Sequence, residues 1–291
     1  MNQPTRLALL INPTSGSQKS KEVFSYLPFL EQAGKKIEVF EWKNRDEINS
    51  LPEKILQWNP DAVVAVGGDG TVNFSGKFLL HKNIPLGIIP TGSGNGLARH
   101  LGIPMKLEDA VKKLISPRLL KIDAGKIDGN FFFCSAGLGY DALIAHRFAN
   151  LKKRGLWGYT RESILALGQF KPQHFKVTFN EKIHHFDALI LTFGNAAQFG
   201  NNAYIAPQAD ITDGLLELTV IEKINPLKVP VLVYKLFNKN LHLDSGVKTF
   251  SSNHFLVQLQ EPGIIHYDGE SGTCGKEVIL EIIPSALQVL V

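Results

Sequence analysis

Two short stretches carry residue types that could handle a phosphate and a proton. The first is Gly67-Gly68-Asp69-Gly70-Thr71-Val72-Asn73. Three glycines in four positions let the chain turn sharply and bring bare backbone N–H groups close to a ligand. Thr71-Val72-Asn73 then opens a helix, whose unpaired N–H groups and dipole favour an anion. Asp69 would be repelled by phosphates unless a cation lay between them. The turn therefore reads as a nucleotide-phosphate cradle with Asp69 near Mg²⁺. The second stretch is Asp268-Gly269-Glu270. On a strand, side chains two apart share a face, so one carboxylate could orient a metal while the other accepts a hydroxyl proton. Taken locally, this triplet also fits a hairpin turn with solvated acids.

The glycine turn has two companions. Asn12-Pro13-Thr14-Ser15-Gly16 follows a first strand, and Pro90-Thr91-Gly92-Ser93-Gly94-Asn95-Gly96 follows a fourth. Each offers small hydroxyl or amide side chains and backbone N–H groups. Strands at Arg6–Asn12, Lys36–Trp42, Ala62–Val66 and Leu86–Ile89 alternate with helices at Ser20–Gln32, Glu47–Gln57 and Leu107–Ile115, the second beginning near Pro52. That order implies a parallel sheet with right-handed crossovers. Ligands in such sheets sit beyond the carboxyl ends of the strands, so the three loops are expected along one rim around an extended phosphate chain. Lys43 follows the second strand at the same edge.

Near Leu119–Lys126 the texture changes to short strands separated by turns, an antiparallel pattern. The candidates are Asn130–Phe133, Cys134–Leu138, Phe175–Phe179, Ile183–Phe186, Ala188–Phe193, Leu216–Ile221, Phe250–Ser252, Phe255–Gln260 and Val278–Ile283. Helical stretches interrupt them at Ala142–Phe148, Gly158–Gln169 and Leu227–Leu236, and a basic turn stands at Lys152-Lys153-Arg154. The expected division is an α/β domain, 1–123, completed by 285–291, and a mainly antiparallel β-sandwich domain, 124–284. Apolar residues from Leu143 to Phe170 are candidates for an acyl-chain cleft. His184 and His185 are neighbours on a strand and point to opposite faces, which disfavours a shared metal ion.

A chain of 291 residues stands at the length where one core tends to split into two. With 44% hydrophobic and 20% charged residues it has the composition of a globular protein rather than a disordered one. Its two cysteines, Cys134 and Cys274, make neither a disulfide framework nor a metal motif, which suits a reducing cytoplasm. The apolar run Leu7–Ile11 is too short for a signal peptide, and no run reaches membrane-spanning length. A net charge of +4 fits anionic ligands or an anionic membrane surface.

In order and spacing, NPTSG at 12–16, GGDGTVN at 67–73, PTGSGNGLAR at 90–99, ADITDGLLEL at 209–218 and YDGE at 267–270 resemble the diacylglycerol kinase catalytic family, over nearly the whole chain. The resemblance implies a nucleotide-binding α/β domain followed by a β-sandwich. It implies an ATP- and Mg²⁺-dependent lipid kinase, with diacylglycerol the first acceptor and a sphingoid or ceramide-type lipid the second. Asn12–Gly16, Lys43, Gly67–Asn73, Ser93, Gly94 and Asn95 would then surround ATP, with Asp69 near the catalytic Mg²⁺. Glu270 would be the general base with Asp268 as helper or Mg²⁺ partner. Asp213, with the carbonyls of Leu216 and Leu218, would form a structural Mg²⁺ site, and Asp141 would face the lipid headgroup. Lys43 stands where relatives often have Thr. Phe74 and Gly96 stand where bacterial members carry acids, and GSGNGLA is closer to the sphingosine and ceramide kinases. The expected partners are a lipid substrate and a peripheral membrane surface reached from the cytoplasm, with no nucleic acid and with a homodimer allowed. An NAD kinase, which shares the GGDGT turn, and a non-catalytic nucleotide- or lipid-binding regulator are the alternative readings.

Overall fold

The computed structural model describes residues 3–12, 17–42, 45–149, 171–222 and 226–291. The chain divides into two compact units, Met1–Ile122 with Ser285–Val291, and Asp123–Pro284.

The first unit is a parallel sheet covered by helices. Its elements are β1 (Arg6–Ile11), α1 (Ser17–Glu22), α2 (Leu27–Gln32), β2 (Lys36–Glu41), α3 (Arg45–Ile48), α4 (Leu51–Gln57), β3 (Ala62–Gly67), α5 (Asp69–Leu79), β4 (Leu86–Pro90), α6 (Gly96–His100) and α7 (Leu107–Lys113). The sheet order is β2-β1-β3-β4, with every pair parallel. The end of the chain adds a strand beside β4, where Val289 pairs with Leu86. Every residue of β3 is buried, as expected for a strand covered on both faces. Its side chains join Leu7, Leu9, Ile11, Leu30, Val111 and Leu290 in one core. The helix expected over Ser20–Gln32 is two helices joined by a 3₁₀ turn, Val23–Tyr26. Pro28 explains the break, because it has no N–H and its ring would strike the carbonyl one turn back. It sits instead in the first turn of α2, where neither fault matters.

The second unit is an antiparallel sandwich. It begins with β5 (Leu119–Ile127, which leads out of the first unit), β6 (Asn130–Phe132), β7 (Ser135–Gly139), α8 (Tyr140–Ala149), β8 (Gln173–Phe179), β9 (Lys182–Ala188), β10 (Ile190–Gly194) and β11 (Leu216–Ile221). It continues with α9 (Val229–Phe237), β12 (Val247–Ser252), β13 (His254–Leu259), β14 (Gly263–Tyr267), β15 (Glu270–Cys274) and β16 (Glu277–Leu290). One sheet runs β12-β11-β10-β7-β14-β15. In the other, β13 lies between β16 and β8, and β9 follows β8. Phe132, Phe175, Phe193, Phe255, Leu218 and Leu280 are among the side chains that fill the space between them. The sequence allows the turn at Asp268-Gly269 as an alternative, but the strands β14 and β15 on either side of it are not among the expected ones. The second of them, ESGTC, lacks the apolar alternation that marks a strand.

Candidate active site

In the first unit the loops that follow β1, β3 and β4 meet through named contacts. Asn12 donates its side-chain amide to Thr71 Oγ1 at 3.3 Å, and its backbone N–H goes to the Val66 carbonyl at 3.1 Å. The N–H groups of Thr91 and Gly92 both reach the Gly67 carbonyl, at 2.9 and 3.3 Å. Ser20 of α1 shares a buried hydroxyl contact with Thr91 at 3.1 Å. Asp69 completes the joint, accepting the N–H of Asn95 at 2.9 Å and that of Gly96 at 2.6 Å on its two carboxylate oxygens. The carboxylate thus sits at the start of α6, where the free N–H groups and the dipole favour a negative charge. Asn95 holds the turn with φ of 53° and donates its side-chain amide to the Gly92 carbonyl at 2.8 Å. Arg99 Nε reaches the Gly94 carbonyl at 3.0 Å.

Glycine is required where these loops touch. A β-carbon on Gly94 would lie 2.6 Å from Asp69 Oδ2, and one on Gly92 would overlap the backbone of Gly68. Asn12, Gly67, Gly68, Asp69, Gly70, Thr71, Val72, Asn73, Ser93, Gly94 and Asn95 all belong to this rim or to the helix α5 that starts from it. Backbone N–H groups at the head of α5 and small side chains fit a chain of phosphates. Beside the rim a cavity of about 230 Å³ is lined by Pro90, Thr91, Tyr26, Met105, Leu107, Lys19, Lys106, Glu22 and Glu108. Pro13, Thr14, Ser15, Gly16 and Lys43 lie outside the described residues, as do the Lys152–Arg154 turn, the helix expected at Gly158–Gln169 and most of the Leu143–Phe170 stretch.

In the second unit, Asp268 and Glu270 do not share a strand face, and the sequence expectation is corrected here. Tyr267 pairs with Glu270 across a hairpin. Asp268 and Gly269 form its two-residue turn, with φ of 49° and 81°, the geometry that matches the twist of the flanking strands. The Asp268 carboxylate points back into the fold. It accepts the N–H of Phe133 at 2.7 Å, of Cys134 at 2.8 Å and of Ser135 at 3.1 Å. Those bonds make Asp268 the clamp between the turn and the start of β7. Glu270 is exposed at the head of β15. Burial pushes the pKa of the Tyr267 phenol opposite it up, and the charge of Glu270 adds to the shift.

Asp141 opens α8 and is nearly buried, its side chain 8% exposed. It accepts a hydrogen bond from the Thr192 hydroxyl and sits 2.9 Å from His266 Nε2. Gly137 makes the room, since a β-carbon there would come within 2.6 Å of the carboxylate and 2.8 Å of the imidazole. The family resemblance names Asp141, while its neighbours Thr192 and His266 are absent from the sequence reading. Thr192, Gly137 and His266 are brought level only by the pairing of β10, β7 and β14, which no local pattern announces. The expected neighbours His184 and His185 have separate surroundings: His184 stacks on Phe179 at 4.4 Å, and His185 lies 3.4 Å from His174.

The loop before β11 gathers acids. Asp213 accepts the Leu215 N–H at 2.9 Å, Asp210 accepts the N–H and hydroxyl of Thr212 at 2.9 and 2.7 Å, and buried Asp123 accepts the Gly214 N–H at 2.7 Å. Burial pushes the Asp213 carboxyl above the usual range, and the charges of Asp210 and Asp123 add to this. Such oxygens suit a hard cation. Among the described residues no group of three or more His, Cys, Asp or Glu side chains converges enough to hold one alone, so backbone oxygens or water would have to complete its shell. Leu216 and Leu218 turn their side chains into the sandwich core, and Leu218 is paired on both sides, with Phe193 and Phe250. Their neighbour Glu217 faces the other way. Its Oε2 accepts the Gln208 N–H at 2.8 Å, its Oε1 is buried without a partner, and burial pushes its pKa up to about 7.

Comparison with known proteins agrees with this arrangement. Residues 6–127 match the diacylglycerol kinase catalytic domain, and residues 134–291 match the YegS C-terminal NAD kinase beta sandwich-like domain. The chain is 28% identical to a diacylglycerol kinase of Mycobacterium tuberculosis over 98% of its own length and 94% of that protein. It is 30% identical to a Klebsiella pneumoniae protein named "Probable lipid kinase YegS-like", over 85% of this chain and 83% of the other. A crystal structure of a diacylglycerol kinase from Bacillus anthracis has the same fold, with a TM-score of 0.77 at 16% identity, covering 100% of this chain and 98% of that one. A mostly parallel α/β unit whose glycine loops meet on one rim, followed by a YegS-type antiparallel sandwich, makes this chain a member of the diacylglycerol kinase and YegS family of lipid kinases, which are phosphotransferases.

Proposed function

We propose that the protein transfers the γ-phosphate of ATP, with Mg²⁺, to the free hydroxyl of diacylglycerol and so makes phosphatidic acid at a membrane surface. The observation that carries this reading is the phosphate rim, in which Asp69 ties the Gly67–Thr71 turn to the Ser93–Gly96 turn. Transfer to an alcohol asks for position and charge rather than covalent chemistry. The backbone N–H groups at the head of α5, with the hydroxyls of Thr71 and Ser93, would hold the phosphates. Asp69 keeps carboxylate lone pairs that can meet the metal or its water, and Mg²⁺ would take up the charge spreading over the transferred group. The lipid oxygen attacks the γ-phosphorus, the new O–P bond forms as the bond to ADP breaks, and the hydroxyl proton passes to Glu270.

Diacylglycerol is favoured as the acceptor by the names of bacterial relatives that match three quarters or more of this chain. Gly96, in the GSGNGLA version of the loop, favours a sphingoid or ceramide-type lipid as the second reading. Incubation with labelled ATP and a panel of hydroxylated lipids in mixed micelles, followed by mass identification, tests both. Phosphatidic acid is the expected product. A phosphorylated sphingoid lipid or ceramide would replace the acceptor, and no transfer to any lipid would overturn the reading.

A further inference from the structure

The apolar side chains this chain leaves in water are unevenly placed. Among the described residues eleven large hydrophobic side chains are exposed. Six of them, Leu227, Val231, Val233, Tyr234, Phe237 and Leu243, fall within one segment on and around α9. Leu227 is 87% exposed and Tyr234 66%. The inner face of α9 is already satisfied, with Leu232 and Leu236 packed against Ile205, Ile221, Leu241 and Val247. A helix serving only its own domain carries polar residues on its outer face. Here Leu227, Val231 and Tyr234 follow each other at four and three residues, and Val233 and Phe237 at four, so they form a stripe along the outside.

Charge identifies the occupant. Lys228 immediately precedes α9, Lys235 lies on it, and Lys239 follows its end with its ammonium 4.5 Å over the Tyr204 ring. From 226 to 249 the chain has four lysines against one acid, Asp244; Asp244 is paired with Lys235 at 2.8 Å, and Lys248 with Glu222, outside this segment, at 2.6 Å. A second copy of the chain would bring these lysines face to face. Anionic headgroups complement them, and acyl chains accept the apolar stripe while lysine stems reach up to the phosphates. Among the described residues no helix is long and apolar enough to cross a membrane, so α9 offers contact from one side. We infer that the outer face of α9, with Leu227 before it and Leu243 after it, is the surface by which this protein sits on an anionic lipid bilayer. The inference rests on the reading of the protein as a kinase of a membrane lipid.

The test measures flotation of the full chain with vesicles of phosphatidylcholine alone and with added phosphatidylglycerol. Each variant is also assayed on long-chain diacylglycerol in vesicles and on a short-chain, water-soluble diacylglycerol. The double variant Tyr234→Ser/Phe237→Ser, and separately the single Leu227→Ser, remove outward side chains that the core does not use. The double variant is expected to lose about tenfold or more in partitioning, on the scale of lost apolar area. Activity on vesicle-borne lipid should fall in parallel, while activity on the soluble lipid holds. Lys228→Glu/Lys239→Glu should abolish the preference for phosphatidylglycerol. Unchanged flotation in the double variant would overturn the inference, as would a wild-type dimer in sedimentation that the same substitutions dissociate. If no lipid is phosphorylated the kinase reading fails, and the flotation results still decide what α9 does.

Discussion

Gly92 lies so close over Gly68 that a β-carbon on it would overlap the Gly68 backbone. Two turns that are distant in sequence are thereby in van der Waals contact, and the shared Gly67 carbonyl holds them there. Gly92→Ala must push them apart. The expected cost is about 1–3 kcal/mol of stability, as for overpacking elsewhere, with a loss of ATP affinity larger than the fall in Tm would suggest. Nucleotide titration beside thermal melting separates the two effects.

Asp69 carries both a structural and a chemical expectation. Asp69→Asn replaces one acceptor with an NH₂ group facing the N–H of Asn95 or Gly96, so about 1–3 kcal/mol of stability should go with the unsatisfied partner. Asp69→Ala should abolish phosphate transfer in protein that still folds. A variant with full turnover would show that Asp69 braces the loops and does nothing for the metal.

Glu270 and Asp268 should separate cleanly despite standing two apart. Glu270 is exposed, so Glu270→Gln should leave Tm almost unchanged. It should lower kcat by about 10²-fold or more while ATP affinity holds, because a base acts at the chemical step.

Asp268→Ala instead strands three backbone N–H groups. It should cost on the order of 3 kcal/mol, read as a lower denaturation midpoint. If Asp268→Ala kept its Tm and lost only kcat, the clamp would be the wrong description.

Glu217 makes stability depend on pH. Its folded pKa, about 7, stands above its unfolded value, so its neutral form is the one the fold favours. That contribution is complete below about pH 4.5 and is lost as pH rises towards 7, with no further change above it. The size is on the order of 3 kcal/mol at most. Glu217→Gln should flatten this part of the profile and be the more stable protein above pH 7. Urea midpoints measured from pH 4 to pH 8 would check it.

Much of the architecture was legible because burial imposes patterns that survive in one dimension. The all-apolar run of β3 and the glycine turn after it announce a parallel strand and its phosphate loop. The meeting of Asn12 with Thr71 and of Gly92 with Gly68 follows once the strands are parallel. The Asp268 geometry did not follow, because Asp-Gly marks a hairpin and an acidic pair equally well, and only the missed strand ESGTC decides between them. Thr192 and His266 were invisible for a related reason. Their closeness to Asp141 is a matter of register between β10, β7 and β14, and register depends on pairs far apart in the chain.

The strand beside β4 comes from residues 285–290, after the entire second unit in chain order. During synthesis the first unit therefore waits, with the edge of β4 at Leu86 open, until the ribosome has delivered the whole second unit. The kinase cannot mature from its amino end alone, and a nascent chain stalled midway would offer chaperones an unfinished sheet edge.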